Sequence, residues 1–395
     1  MADGFNIAYF ALDQFIPSEH AGFVHTYSIA KALKCLGNDV VIYGIPTGAD
    51  LFNLLKWRGE YNRIRIHYTR FVVSFKLKYR FFSFLNILSY YKVLNLIKNQ
   101  SPDIIHERFH VPNLQSIKIY EKLKTIPKVL EVNSLYIEDC IYHGKQKKVA
   151  TEHRDKLFKQ CRAIITQTET LKNMIEKIAD KPVYVVPNGV DTELFKPGLY
   201  CEDLKKELNI LDDDIVITFV GSFRRWHGVD QIPIIAKKLR KENIKFLLIG
   251  SGELFEYVNS IKTDNMILLG PKPHSMIPRY LALSDILIAP FDSNYFGENN
   301  FWWNPVKLFE YMSAGKPIVS YNYEEIRKIV RDAGLLASPG NLSDFINKLD
   351  YLIEDENLRE ELGKKGRRIA VKEYDWKIRA RQTINVYKMV LEDKI

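Results

Sequence analysis

A chain of 395 residues exceeds the size at which a single hydrophobic core usually stops growing, so two domains of roughly 200 residues or fewer are expected. Apolar residues make up 46% and charged residues 27%, which excludes a disordered or fibrous chain. The net charge of +9 points to an anionic partner and leaves nucleic acid, a lipid surface and a phosphorylated substrate open.

The chain starts MADGFNIAYFALD, without the basic start and apolar run of a signal peptide. No stretch offers about 18 consecutive apolar residues for a membrane span, so a cytoplasmic protein is expected. FNIAYF, DVVIYG, IRIHYTRF, DIIHERF, KVLEVN and AIITQT then alternate with amphipathic stretches through the first half. Near-continuous apolar strands between helices predict a parallel sheet covered on both faces. Within this half, residues 71–91 mix Lys76, Lys78 and Arg80 with aromatic and aliphatic side chains. That mixture fits peripheral contact with an anionic membrane, and it also fits a core-facing loop and helix.

Pro187, Asn188, Gly189 and Pro197 punctuate VPNGVDTELFKP and set a boundary there, giving domains over 1–190 and 191–372. Asp212, Asp213 and Asp214 read as a solvated loop. IVITFVGS, KFLLIG, MILLG, DILIAPF and PIVSY repeat the strand style, so the fold class is α/β with two doubly wound Rossmann-like domains. Residues 373–395 carry Trp376, Ile378, Ile384, Tyr387, Met389 and Val390 near helical spacing, predicting a terminal helix that returns to the first domain. Cys35, Cys140, Cys161 and Cys201 match neither a zinc site nor a disulfide framework, and no metal is expected. His67 and His143 read as surface or packing residues. The basic residues are dispersed and accompany no nucleic-acid motif, so nucleic acid is not expected as a partner.

The most informative segment is FGENNFWWNPVKLFEYMSAGKPIVS. Pro305 suits the first turn of a helix that Gly315 and Pro317 end. A helix N-terminus offers unpaired N–H groups and a positive dipole end to a phosphate. Lys307 adds a point charge in that first turn, and Glu310 can accept two hydrogen bonds from a ribose diol. An ordinary surface helix with a solvated Lys307–Glu310 pair has the same spacing.

PVKLFEYMSAGKPIVS closely resembles the donor-binding element of retaining GT-B glycosyltransferases of the family 4 type. The resemblance implies that the two Rossmann-like domains face each other across a cleft. It also implies that Asn304, Pro305, Val306, Lys307 and Glu310 belong to the donor site. Glu310 occupies the second position of the family's E-x7-E motif, while Trp302 stands at the first. FVGSFRRWHG resembles the family's phosphate loop, beginning at Gly221, with Ser222 and His227 where arginine and lysine are commonest. Arg224 and Arg225 lie between them and can supply the missing charge, since guanidinium grips diphosphate oxygens in a fork. LGPKPHSMIPRYLALSDILIAPF resembles the region beside the nucleotide base, which implicates Pro271, Lys272 and Pro273. PSEHAGFVHTYSIAKAL resembles the acceptor-side loop, where Gly22 would let the backbone approach the donor. Asn133 stands where the family often has a histidine, with Glu131 and Glu138 nearby, and Glu131 is the candidate polar active-site residue.

The resemblance implies retaining transfer of a hexose-like sugar from a UDP- or GDP-linked donor to a hydroxyl of a lipid-linked or cell-envelope glycan, without metal or cofactor. Lys307, Arg224 and Arg225 would stabilise the leaving diphosphate. Nucleotide-sugar epimerisation, sugar phosphorolysis and non-catalytic nucleotide-sugar binding use related architecture and remain alternatives. No pair of carboxylates stands out as the acid/base couple of a hydrolase.

Overall fold

The computed structural model describes residues 4–19, 21–47, 58–69, 79–135, 144–292 and 301–392. Lys76, Lys78, Glu138, Cys140 and His143 lie outside them, and so does the side chain of Arg80. The chain divides into two compact units, Met1–Pro187 with Trp376–Ile395, and Asn188–Asp375.

In the first unit the described strands are β1 (Asn6–Ile16), β2 (Asp39–Pro46), β3 (Arg58–Tyr61), β4 (Ile64–Tyr68), β5 (Ile104–Arg108), β6 (Lys128–Val132), β7 (Ala163–Thr166) and β8 (Val183–Val185). They form one sheet in the order β3-β4-β2-β1-β5-β6-β7-β8. All neighbours run parallel except the β3–β4 hairpin. The strand order reverses between β1 and β5, and ligands of such sheets bind beyond the carboxyl ends at that switch. The terminal helix Trp376–Glu392 packs on the Ala21–Cys35 helix and on this sheet, sending Trp376, Ala380, Val386 and Tyr387 into the core with Ile7, Tyr9 and Ile42.

The second unit holds β9 (Ile215–Val220), β10 (Ile244–Ile249), β11 (Met266–Gly270), β12 (Ile286–Ala289), β13 (Ile318–Tyr321) and β14 (Gly334–Ala337). They form an all-parallel sheet ordered β11-β10-β9-β12-β13-β14. Alternate strand residues feed opposite faces. Val216, Leu247, Leu287 and Ile318 enter one core, and Ile217, Phe246, Ile288 and Val319 the other. Both faces are dry, which is why these strands read as continuous apolar runs. Here the switch lies between β9 and β12.

The acidic triplet before β9 departs from expectation. Asp212 is solvated and pairs with Lys205, but the carboxylate of Asp214 is buried and accepts from the Leu211 N–H at 2.8 Å. That bond closes the turn, so a buried acceptor replaces the solvated residue foreseen there. No helix among the described residues is long and apolar enough to cross a membrane.

Candidate functional site

The second unit's switch point is assembled from three segments that leave the sheet at its carboxyl edge. The first follows β9. Gly221 sits at φ +154, and a Cβ there would run into the ammonium of Lys307. Gly250, at the end of β10, touches the Gly221 carbonyl so closely that a side chain would collide with it. Two glycines thus bring backbone and lysine to one point. Beyond Gly221, Ser222 is half-buried, and a short 3₁₀ turn spans Arg225–His227.

The second segment is the helix Val306–Ser313. Pro305 is its N-cap rather than its first helical residue, in extended conformation and without a side-chain cap, and Val306 opens the helix. The first N–H groups of such a helix have no intrahelical carbonyl to bond. Leu308, Phe309, Tyr311 and Met312 anchor the opposite side in the core, each burial stabilising by about 1.5–3 kcal/mol. Tyr311 also accepts the Val220 N–H through its hydroxyl at 2.9 Å, which pins the helix to the end of β9. Asn304, just before the helix, is 3% exposed and takes the Asn188 N–H on its Oδ1 at 2.7 Å. Its carbonyl accepts from the Asn188 carboxamide at 2.6 Å. Asn304 thereby ties the loop to the PNG segment.

Lys307 is 8% exposed, and among the described residues it makes no ion pair. Its Nζ lies 2.9 Å from His227 Nδ1 and stands 4.3 Å from the Phe219 ring centre and 5.3 Å from that of Phe291. Burial lowers this ammonium from 10.5 to about 7, against a smaller upward pull from the charge of Glu310. His227 is held well below its ordinary range by burial, then by the charges of Lys307 and Arg224, so it is the neutral acceptor of the lysine's proton. Trp303 closes over it, 5.1 Å between ring centres. The site therefore holds a cation that makes no ion pair among the described residues, with a neutral partner in an aromatic wall and the Glu310 carboxylate acting on it only at longer range.

Both loop arginines are exposed. The Arg224 guanidinium lies over Trp226 at 5.0 Å, and its charge depresses His227. The charge of Arg225 acts on Asp230 instead. Of the two, Arg224 belongs electrostatically to the Lys307 site.

The third segment follows β11. Lys272 is half-buried in the turn that leads to His274, and the His274 Nε2 meets Glu310 Oε1 at 2.7 Å. Glu310 is 7% exposed, one turn beyond Lys307 on the same helix. Sequence reasoning named Lys272 and missed His274. A single histidine after two prolines carries no periodicity, and its partner lies 36 residues away. Trp302, at the place of the family's first glutamate, is buried.

In the first unit, Gly22 is the second residue of the Ala21–Cys35 helix, and a Cβ there would meet the Gln14 carboxamide. Glu131, near the end of β6, is 4% exposed and heavily engaged. Its Oε2 accepts from Tyr9 at 2.8 Å and faces His106 Nε2 at 3.0 Å, while Oε1 faces His25 Nε2 at 2.5 Å. The other nitrogen of His106 meets the Tyr387 hydroxyl of the terminal helix at 2.7 Å. Burial alone would raise the Glu131 carboxyl, but the charge of His25 and the bonds from both histidines hold it well below the usual carboxylate range. Asn133 spends its carbonyl oxygen on the Gln167 carboxamide at 2.6 Å.

Among the described residues no three His, Cys, Asp or Glu side chains gather as metal ligands. The family description Glycosyltransferase Family 4 matches residues 22–194, and Glycosyl transferases group 1 matches residues 201–369. An uncharacterised glycosyltransferase of Methanocaldococcus jannaschii is 26% identical over 89% of this chain and 90% of its own length. The UDP-Gal:alpha-D-GlcNAc-diphosphoundecaprenol alpha-1,3-galactosyltransferase of Escherichia coli is 26% identical over 69% of this chain and 71% of its own. Among solved structures, the sucrose-phosphate synthase of Thermosynechococcus elongatus superposes with a TM-score of 0.78 at 14% identity, covering 98% of this chain and 99% of that one.

Proposed function

Because the chain belongs to the family 4 type of glycosyltransferases with the GT-B fold, we propose that it moves a hexose-like sugar from a UDP- or GDP-linked donor to an acceptor hydroxyl, with retention of anomeric configuration. The observation that carries the donor reading is Lys307, a buried cation with a neutral histidine partner and no ion pair among the described residues. A diphosphate bound at Gly221 and the N-terminus of the Val306–Ser313 helix would give that charge its counterion. Glu310, one turn along, would take the ribose hydroxyls of the same nucleotide.

Negative charge grows on the diphosphate as the glycosidic bond breaks. A fixed ammonium in a low-dielectric pocket stabilises it without reorganising at the moment of reaction. Arg224 adds a second positive charge from the rim. In a front-face transfer the departing phosphate oxygen accepts the proton of the attacking hydroxyl. These groups neutralise the leaving group in the role a divalent cation otherwise fills, and activity is expected to persist in a chelator.

A lipid-linked or cell-envelope glycan is the proposed acceptor. The Escherichia coli relative, by its name, acts on a diphosphoundecaprenol-linked sugar, and the net charge of +9 favours an anionic surface. Peripheral contact through residues 71–91 belongs to the same proposal. Unchanged partitioning to anionic liposomes after Lys76, Lys78 and Arg80 are all replaced by glutamate would remove that contact from it.

The donor reading is tested by a thermal-shift panel of UDP, GDP, ADP and dTDP, since a ligand that binds only the native state raises its melting temperature. UDP or GDP should give the largest shift, and acceptor-dependent release of that nucleotide from its sugar donor should follow. If none of the four stabilises the protein, and Lys307→Ala and Glu310→Ala leave transfer unchanged, the reading is wrong.

A further inference from the structure

Glu310 is a buried carboxylate with its two oxygens in different circumstances. Oε1 lies 2.7 Å from His274 Nε2, and among the described residues Oε2 has no hydrogen-bond partner. The histidine is itself held in place. It opens the 3₁₀ turn His274–Met276, which the Met276 N–H closes on the Pro273 carbonyl at 2.9 Å, and its ring packs on Phe195 at 5.3 Å. His274 lies just after β11 and Glu310 on the helix that precedes β13, so neither side chain is fixed by its own segment alone.

A carboxylate on a helix can rotate about its last torsion, and one fixed oxygen removes that freedom. We infer that His274 is a positioning residue for the donor nucleotide: by clamping Oε1 it fixes the plane of Glu310 and aims Oε2 at the ribose 2′-hydroxyl, making the site strict for ribonucleotides over 2′-deoxyribonucleotides. This rests on the donor reading proposed above. Strictness follows once the bound nucleotide covers Oε2 and shuts water out. A site built to bond a hydroxyl discriminates strongly against the analogue lacking it, because its own acceptor is then left unpaired. An unclamped carboxylate can turn towards solvent or another donor when the hydroxyl is missing, and discrimination falls.

The test is calorimetric titration with UDP, GDP and their 2′-deoxy forms on the wild type, His274→Ala and His274→Gln, with melting curves to establish folding. The wild type should prefer the ribonucleotide by about tenfold or more. His274→Ala should bring that ratio to within about threefold, chiefly by weakening the ribonucleotide, while binding of the 2′-deoxy form stays nearly constant. His274→Gln, whose amide N–H can still donate to Oε1, should recover part of the ratio. A folded His274→Ala protein that keeps the wild-type ratio overturns the inference while leaving the donor reading intact. Absence of binding by both UDP and GDP to the wild type overturns both.

Discussion

Binding of a nucleoside diphosphate at pH 8 should draw about 0.9 of a proton into the protein, because only about a tenth of the Lys307 side chains are charged there when the site is empty. The number follows from an ammonium that burial lowers to about 7. A bound diphosphate supplies the missing counterion and returns the lysine towards its ordinary value of 10.5, so uptake should be about 0.9 at pH 8, about half a proton at pH 7 and about 0.1 at pH 6. The gap between about 7 and 10.5 corresponds to about 5 kcal/mol, an upper bound on what the ligand recovers by restoring the charge. Affinity should therefore weaken by nearly tenfold per pH unit above about 8. The folded value lies below the unfolded one, so the buried charge costs stability in full below about pH 7. That cost disappears as the pH rises towards 10.5. Titrations at pH 8 in Hepes and in Tris, whose ionisation enthalpies differ, measure the uptake directly. The nucleotide's terminal phosphate, with a second pKa of about 6, is already ionised at that pH and adds little. Lys307→Met should bind more weakly and show the same heat in both buffers. Identical heats for the wild type, with binding intact, would refute the reasoning.

Gly221→Ala should weaken UDP or GDP by more than about tenfold and cost about 1–3 kcal/mol of global stability, because the new methyl meets the Lys307 ammonium and an alanine is strained at a φ of +154; unchanged affinity in the folded variant would contradict the close approach. Arg224→Ala should lower kcat/KM by about tenfold and Arg225→Ala by less than about twofold, since only the first acts on His227; steady-state kinetics of the two variants decide it. Glu131→Gln should cost about 3 kcal/mol in urea denaturation at pH 7, because it strips the carboxylate from two buried histidines. The Glu131 carboxyl is held below its ordinary 4.5, so its stabilisation is present above that pH and lost as the pH falls further. The gap between wild type and variant should therefore shrink on acidification below about 4.5, and a constant gap from pH 7 to 3 would count against it.

The two parallel sheets were legible because their interior strands are dry on both faces, and runs such as IVITFV and KFLLI have no polar alternation to confuse them. The strands that escaped are β3, β8 and β14, each at an edge of its sheet. RGEY, VYV and GLLA are short and partly exposed, as edges tend to be, so they carry too little apolar signal to stand out. The helix carrying Lys307 and Glu310 was legible from Pro305, Gly315 and the spacing between. Its aromatic wall was not. Phe219, Phe291 and Trp303 stand in separate stretches of the sequence, and only the sheet order, with β9 beside β12, brings them together around Lys307 and His227. The network around Glu131 is less legible still, since His106 and Tyr387 are 281 residues apart.

That hidden wall bears on the departure of the phosphate loop from its family's commonest form. With Ser222 and His227 where the resembling family most often has arginine and lysine, the loop carries two fewer charges at the proposed diphosphate site. Lys307 against Phe219 and Phe291 offsets part of this by location, because a charge in a low-dielectric pocket acts more strongly on a bound anion than the same charge in water. The same burial makes the charge costly to hold before the anion arrives, and His227 accepts the lysine's proton bond in the meantime. Replacing His227 by lysine would put a second ammonium in the same pocket as that of Lys307, where like charges repel most. His227→Lys alone should therefore weaken nucleotide binding despite restoring the commoner residue, and tighter binding by the single variant would show that the pocket tolerates a second cation.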